Sequence, residues 1–345
     1  MVSDKYEHID DILGDGQTRF FASGYRRVEA DFEDIWLFPE ALLGLKAILN
    51  VRYPADWSKK QQSVELQPHL SSIDAFVIAA RLNELYLTAY FGLDNTMQTS
   101  AWIKAFSIRT LGKPQVSLDK LPVYLRHLTT TLDTGTVCKH VTTTRCEIGM
   151  LQVECEIEHG AHRLCLDAQG RFDGPALNKD NYHYYQCGYK QYDRRIESVS
   201  LDVMRKQATA VVRVHELCPP ESGCVVGLGS AYIPSLTFVD GILVAAQLAQ
   251  ALLYKVDKLK RAETNNLWMR RISASCRTPF LPTNAFMAVI NVRDTRTVQR
   301  GDAVWRIADI EANIQGIKGI YSVAHALPSR SDVDRSSLVD AMPGI

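Results

Sequence analysis

Two stretches of the chain are apolar on almost every side of a helical wheel. One runs from Ser72 to Tyr90 with Ile73, Phe76, Val77, Ile78, Leu82, Leu85 and Leu87. The other runs from Thr237 to Lys260 with Val239, Ile242, Leu243, Val244, Leu248, Leu252 and Leu253. A helix with no polar face has nothing to offer water, so both are expected to be buried. Each opens after a proline, with Ser or Thr and then Asp near the first turn, residues that cap orphan N–H groups and suit the helix dipole.

The flanking segments alternate apolar and polar residues with period two. Before the helices lie Leu45 to Tyr53 and Ala208 to His215. After the first come Trp102 to Arg109, Val123 to Thr129 and Cys146 to Glu158. After the second come Trp268 to Ser275, Ala285 to Val292, Val304 to Glu311 and Gly319 to His325. Such alternation predicts antiparallel strands with one wet face. Strand, buried helix, then several long strands is an α+β pattern in which a sheet wraps one helix. Two copies predict a double hot-dog: two antiparallel sheets, each wrapping a long central helix.

The two copies are related by a shift of 166 residues. At that offset Pro68, Leu70, Asp74, Ala79, Ala80, Leu82, Leu87, Trp102 and Ser107 all meet identical partners. Nine matches in forty positions exceed the roughly two or three that ordinary residue usage gives by chance. The expected division is an N-terminal module over 1–170, a C-terminal module over 171–330 and a disordered tail over 331–345. Residues 170–195 read as the connection between modules.

Composition narrows the function. Lys plus Arg equals Asp plus Glu at 39 each in 345 residues, without the basic excess usual in nucleic-acid binders. No stretch reaches the roughly 18 uninterrupted apolar residues of a membrane span, and the acidic start lacks a signal-peptide pattern. A cytoplasmic location is expected, with the eight scattered cysteines as free thiols. His159-x-x-His162-x-x-Cys165 lacks a second ligand pair, so no metal is expected. The two glycines of Val226-Gly-Leu-Gly lack the rest of a dinucleotide fingerprint, and no cofactor is expected.

Arg19-Phe-Phe-Ala-Ser-Gly-Tyr-Arg-Arg-Val28, Tyr53-Pro-Ala-Asp-Trp-Ser-Lys59 and Pro68-His-Leu-Ser-Ser-Ile-Asp74 resemble sequences of the AvrD (avirulence protein D) family, to about residue 330. The resemblance implies a part in making syringolide-type elicitors, from a β-ketoacyl chain and a pentulose such as xylulose. The partners it implies are a β-ketoacyl-CoA or acyl-carrier-protein thioester and a sugar co-substrate, with no nucleic acid, for a monomer or homodimer. Hot-dog enzymes imply a related chemistry, since they bind acyl thioesters between paired modules. Their dehydratases use a His from one module and an Asp from the other. Asp240 stands near that Asp, but Val244 replaces the usual Gln or His, and the first module lacks the His-x-x-x-Gly-x-x-x-x-Pro motif.

Asp74 and Asp240 are therefore the first candidates for catalysis. A carboxylate at an apolar helix start has its pKa raised toward the range useful for acid or base work, although the same residues serve equally as plain caps. His69, whose counterpart is Ser235, could take a sugar hydroxyl proton or be only a loop histidine. Gly241 could expose a helix-start N–H to a thioester carbonyl or allow close helix packing. Arg81 and Gln247 occupy matching positions seven residues below the aspartates and are expected to bind substrate or satisfy buried partners. Three readings stay open: a condensing enzyme or acyltransferase, a hot-dog dehydratase or thioesterase, and a non-catalytic lipid-binding avirulence protein.

Overall fold

The computed structural model describes residues 3–39, 44–57, 67–133, 139–160, 169–172, 183–217, 225–261, 267–300 and 303–327. The first half contains strands β1 (Asp4–His8), β2 (Glu29–Leu37), β3 (Gly44–Arg52), β4 (Trp102–Thr110), β5 (Leu121–Asp133), β6 (Lys139–Ile148) and β7 (Leu151–Gly160). The short strand β8 (Gly170–Arg171) leads into β9 (Tyr192–Asp202), β10 (Gln207–Glu216), β11 (Trp268–Ser275), β12 (Phe286–Arg300), β13 (Ala303–Ile314) and β14 (Ile317–Ala326). The helices are α1 (Asp10–Leu13), α2 (Ser72–Phe91), α3 (Asn95–Thr99) and α4 (Phe238–Val256).

α2 and α4 are the two apolar segments, and both are buried along nearly their whole length. α4 is long and apolar enough to cross a bilayer, yet 78% of that window is buried inside the fold, which makes it a core helix. α2 packs on β4, β5, β6 and β7, α4 packs on β9, β10, β12 and β13, and the helices touch each other. Each helix stops where its termini find partners. Gly92 at φ +64° closes α2, with its N–H on Thr88 O and the Leu93 N–H on Leu87 O, the glycine-dependent C-cap arrangement. α4 ends at Val256, short of the expected Lys260, where Lys258 turns to φ +55° and the Leu259 N–H bonds back to Tyr254 O at 2.8 Å; the Asp257 side chain there is held by Arg306 and His325.

The expectation of two sheets, each wrapping its own helix, is overturned. All strands belong to one 14-stranded sheet ordered β1-β9-β10-β12-β13-β14-β11-β4-β7-β6-β5-β3-β2-β8. The seam is an antiparallel pairing of β4 with β11, in which Ser107 faces Ser273, Ile108 faces Ile272 and Phe106 faces Ala274. Those two serines are equivalent in the repeat, so a pseudo-twofold axis passes between them. The physical reason for one sheet is the edge. Two separate sheets would each leave a row of unpaired N–H and C=O groups on this strand, and the two rows satisfy each other.

The outer edges carry a second exchange. β1 from the start of the chain pairs with β9 of the second half, and β8 pairs with β2 of the first. Residues 183–191 are a structured element and not a plain connection. At an offset of 164, Arg19-Phe-Phe-Ala-Ser-Gly-Tyr-Arg26 matches His183-Tyr-Tyr-Gln-Cys-Gly-Tyr-Lys190, and each segment forms a short 3-10 turn, Gly24–Arg27 and Gly188–Gln191. Tyr25 stacks on Tyr189 at 6.2 Å. Arg26 donates to Tyr192 O and Lys190 to Val28 O, so the two clips lock across the pseudo-axis. Among the described cysteines Cys146, Cys155, Cys187 and Cys276 are free thiols. The tail from 331, together with His162 and Cys165 of the histidine-rich segment, lies outside the described residues.

Candidate functional site

The repeat builds two clefts at matching places. The first is lined by His69, Leu70 and Ser71 at the start of α2, by Trp268 of β11 and by Leu151. The second is lined by Ser235, Leu236 and Thr237 at the start of α4, by Trp102 of β4 and by Ile317. Each of these five pairs is separated by 166 residues. The same backbone tether holds the start of both helices, Leu70 N to Gln115 O at 2.9 Å and Leu236 N to Leu281 O at 3.0 Å.

Their chemistry differs. Arg19, Lys113, Arg261, Gln247 and Gln250 join His69 in the first cleft. Among the described residues no charged side chain lines the second, where Tyr184, Tyr185 and Phe238 stand instead. The first cleft is narrow, with about 100 Å³ of free volume, well under the roughly 300–1,000 Å³ of common ligand pockets.

His69 sits between aromatic rings from both halves, 5.5 Å from Trp57 and 4.6 Å from Trp268. Its Nδ1 is buried without a well-formed hydrogen bond among the described residues. Burial lowers its pKa below the usual 6.5, partly offset by the Gln67 backbone, because desolvation disfavours the imidazolium. Gln247 is buried on α4. Its Oε1 accepts from Arg19 Nη1 at 2.7 Å, and its Nε2 donates to Phe21 O and Leu243 O. Arg19 also pairs with Asp10, and its Nε is buried without a partner among the described residues. Burial, opposed by Asp10, lowers the Arg19 pKa to about 10.

Asp74 reaches this cleft only through its neighbour. Its carboxylate accepts from Ser71 Oγ at 2.6 Å and from the Tyr53 hydroxyl, and Ser71 lines the cleft. Burial raises the Asp74 pKa, against the opposing hydrogen bonds of Ser71 and Tyr53 and the charge of Lys190. Ser71 Oγ caps the Asp74 N–H at 3.1 Å.

Asp240 lies at the other helix start, beside the second cleft. Its Oδ2 accepts from Thr237 N at 2.6 Å and Thr237 Oγ1 at 2.9 Å, closing a capping box, and its Oδ1 accepts from Arg194 Nε at 2.6 Å. Both side chains of that ion pair are 3% exposed. Arg194 also donates to Tyr25 Oη, Tyr189 O and Tyr192 O. Burial alone would lower the Arg194 pKa, but Asp240, Tyr25 and Tyr184 outweigh it and raise it. The two aspartates therefore stand at different clefts, one at each helix start.

Gly241 packs on β14, where an added Cβ would meet Ile317 Cγ2 at 3.2 Å. Its N–H already bonds Thr237 O at 3.2 Å. Arg81 lies away from the first cleft's lining, donating to Ala30 O at 2.7 Å with its guanidinium 4.8 Å from the Phe32 ring. The structure thus gathers His69 and Gln247, adds Arg19, which sequence reasoning missed, and sets Asp240, Gly241 and Arg81 elsewhere. The clue to Arg19 is the second repeat phase, in which Arg19 answers to His183.

Among solved structures, the tesB protein of Mycobacterium avium subs paratuberculosis is similar, with 8% identity and a TM-score of 0.38, covering 82% of this chain and 93% of its own. A hot-dog protein of unknown function from Alicyclobacillus acidocaldarius is 9% identical with a TM-score of 0.32, covering 84% and 97%. The PpsC dehydratase domain of Mycobacterium tuberculosis is 10% identical with a TM-score of 0.35, covering 86% and 98%. No curated protein matches the sequence. The profile of the Pseudomonas avirulence D protein (AvrD) family matches residues 4–328, and the chain belongs to that family.

Proposed function

We propose that this chain is a biosynthetic enzyme that takes a β-ketoacyl thioester in the first cleft and transfers its acyl group to a pentulose such as xylulose, yielding syringolide-like acyl-glycoside elicitors. The observation that carries the reading is the asymmetry of the clefts. The same backbone is built twice, yet among the described residues only one copy holds an imidazole and three basic side chains. A frame needed only for stability has no reason to concentrate charge on one side of its axis.

In this reading His69 is the catalytic base. Held neutral by burial, it takes the proton of a sugar hydroxyl as that oxygen attacks the thioester carbonyl. The carbon–sulfur bond breaks, and the proton passes to the departing thiolate. Arg19 and Gln247 hold the developing negative oxygen or the sugar. Asp74 positions the helix start through Ser71 and Tyr53 and is not itself a catalytic residue. Asp240, with both oxygens engaged, anchors α4.

The test is incubation of the purified protein with a β-ketoacyl thioester and xylulose, followed by mass spectrometry. The expected product carries the acyl group on the pentulose, and His69→Gln lowers its rate by about 100-fold or more. Free acid independent of sugar would indicate a thioesterase, and loss of water from the thioester a dehydratase. Tight acyl binding with no turnover would leave a lipid-binding protein.

A further inference from the structure

The outer face of the sheet beside the first cleft is apolar. Trp268 of β11 stands opposite Ala324 of β14, and Ala324 stands opposite Ile307 of β13. Paired residues project to the same side, so these three form a row across neighbouring strands. Trp305, two residues before Ile307, faces Val298 on β12 and extends the row. The alternate residues of β14 point the other way, as His325 does to reach Asp257 and Tyr254 of the α4 end.

Together with Pro114 and Met269 these side chains line a groove of about 660 Å³, more than six times the free volume of the cleft. The two spaces adjoin. Thr110, Lys113, Pro114, Trp268 and Met269 line both, and Trp268 is the residue whose other neighbour is His69. The groove wall is mainly Trp305, Ile307, Val298 and Ala324, with Lys113 and Arg270 as its charged side chains, and Arg19 and Arg261 join Lys113 on the His69 side. Among the described residues no acidic side chain lines either part.

We infer that the groove holds the alkyl tail of an unbranched acyl chain, laid across β11, β14 and β13 on the outside of the sheet, with its carbonyl end at Trp268 and His69. The inference rests on the acyl-thioester reading above. The narrowness of the cleft supports it, because a chain of many methylenes does not fit beside His69, whereas the groove offers both volume and an apolar wall. An apolar groove open to water also calls for an occupant, and a chain with a negative head matches the basic end.

The test is equilibrium binding of straight-chain fatty acids from hexanoate to dodecanoate, read by tryptophan emission. In the wild type, each added methylene should tighten binding about fourfold until the groove is full. Val298→Asp, at a position 42% exposed and so tolerant of a charge, and Ile307→Asp should reduce that increment to below about twofold. Thr278→Asp, in the second cleft, should leave it unchanged. If the increment survives both groove variants, the tail lies elsewhere and the inference fails. A wild type with no length dependence overturns it as well. Groove-dependent binding without any acyl-pentulose product would sink the proposed reaction and leave the groove standing. Product formation indifferent to Val298 and Ile307 would do the reverse.

Discussion

Asp240→Asn separates anchoring from catalysis. The carboxylate accepts three hydrogen bonds, two from Thr237 and one from Arg194, in a site where both charged side chains are 3% exposed. Asparagine keeps the shape and one acceptor. If that oxygen faces Thr237, the capping box survives, but an NH2 donor then confronts a guanidinium donor. Removing one member of a buried ion pair costs about 3–5 kcal/mol, mostly the penalty of the charge left behind. Arg194 keeps Tyr25 and the carbonyls of Tyr189 and Tyr192, so the lower end of about 3 kcal/mol is expected. Domains are typically stable by about 5–15 kcal/mol, so the variant should still fold, and urea denaturation at neutral pH can read the loss.

Arg194→Met should cost a similar amount. The double variant should be less destabilised than the sum of the singles, with a coupling of about 2 kcal/mol or more. Turnover per folded molecule should fall less than tenfold in Asp240→Asn. The anchoring role is refuted if this variant unfolds within about 0.5 kcal/mol of wild type while turnover drops about 100-fold. That pair of results would make Asp240 a reacting group.

The remaining outcomes follow from the same contacts. kcat/KM for the thioester should rise with pH through a midpoint below 6.5, as His69 loses its proton, and His69→Gln should flatten the profile. A folded pKa lowered by burial also means that stability tied to His69 is present above 6.5 and lost as pH falls through the folded value; acid titration of urea midpoints in wild type and His69→Gln measures it. For Asp74 the sign is reversed. Its raised pKa makes its contribution complete below 3.8 and lost as pH rises through the folded value, so Asp74→Asn should gain on wild type with rising pH in the same titration. Gly241→Ala must displace Ile317, at about 1–3 kcal/mol, against about 1 kcal/mol of helix propensity gained. Its net cost by urea denaturation should stay under about 2 kcal/mol with kcat unchanged, and a fall in kcat alone would restore a carbonyl-polarising role. Gly227→Ala places a Cβ 2.4 Å from Glu84 Oε1 at φ +90°, where Glu84 caps the Leu228 N–H. A loss of about 2–4 kcal/mol is expected from strain and the broken bond, and an unchanged urea midpoint would contradict it.

The elements themselves are legible along the chain. All-round apolarity marks α2 and α4, and period-two alternation marks most of the long strands, because both patterns reflect local periodicity against a buried surface. The strands β2 and β9 carry no such clear mark. Glu29–Leu37 holds Glu29, Asp31, Glu33 and Asp34, and its apolar positions are interrupted where the register slips between Glu33 and Trp36. Residues 183–191 read as a connection because their likeness to 19–27 rests mostly on aromatic and basic type, with only Gly24 and Tyr25 meeting identical residues, at a shift two residues different from that of the helices.

The sequence by itself determined the duplicated plan, the burial of both helices, their acidic capped starts and the singular histidine of the first copy. These depend on short-range periodicity and on residue types that carry their own meaning. Only the tertiary structure decided that the two edges fuse into one sheet, that Asp240 is consumed by Arg194, and that Arg19 meets Gln247 from 228 residues away. Strand edges, buried ion pairs and cleft walls are settled by which distant groups can satisfy one another's hydrogen bonds and charges. No local pattern records that choice.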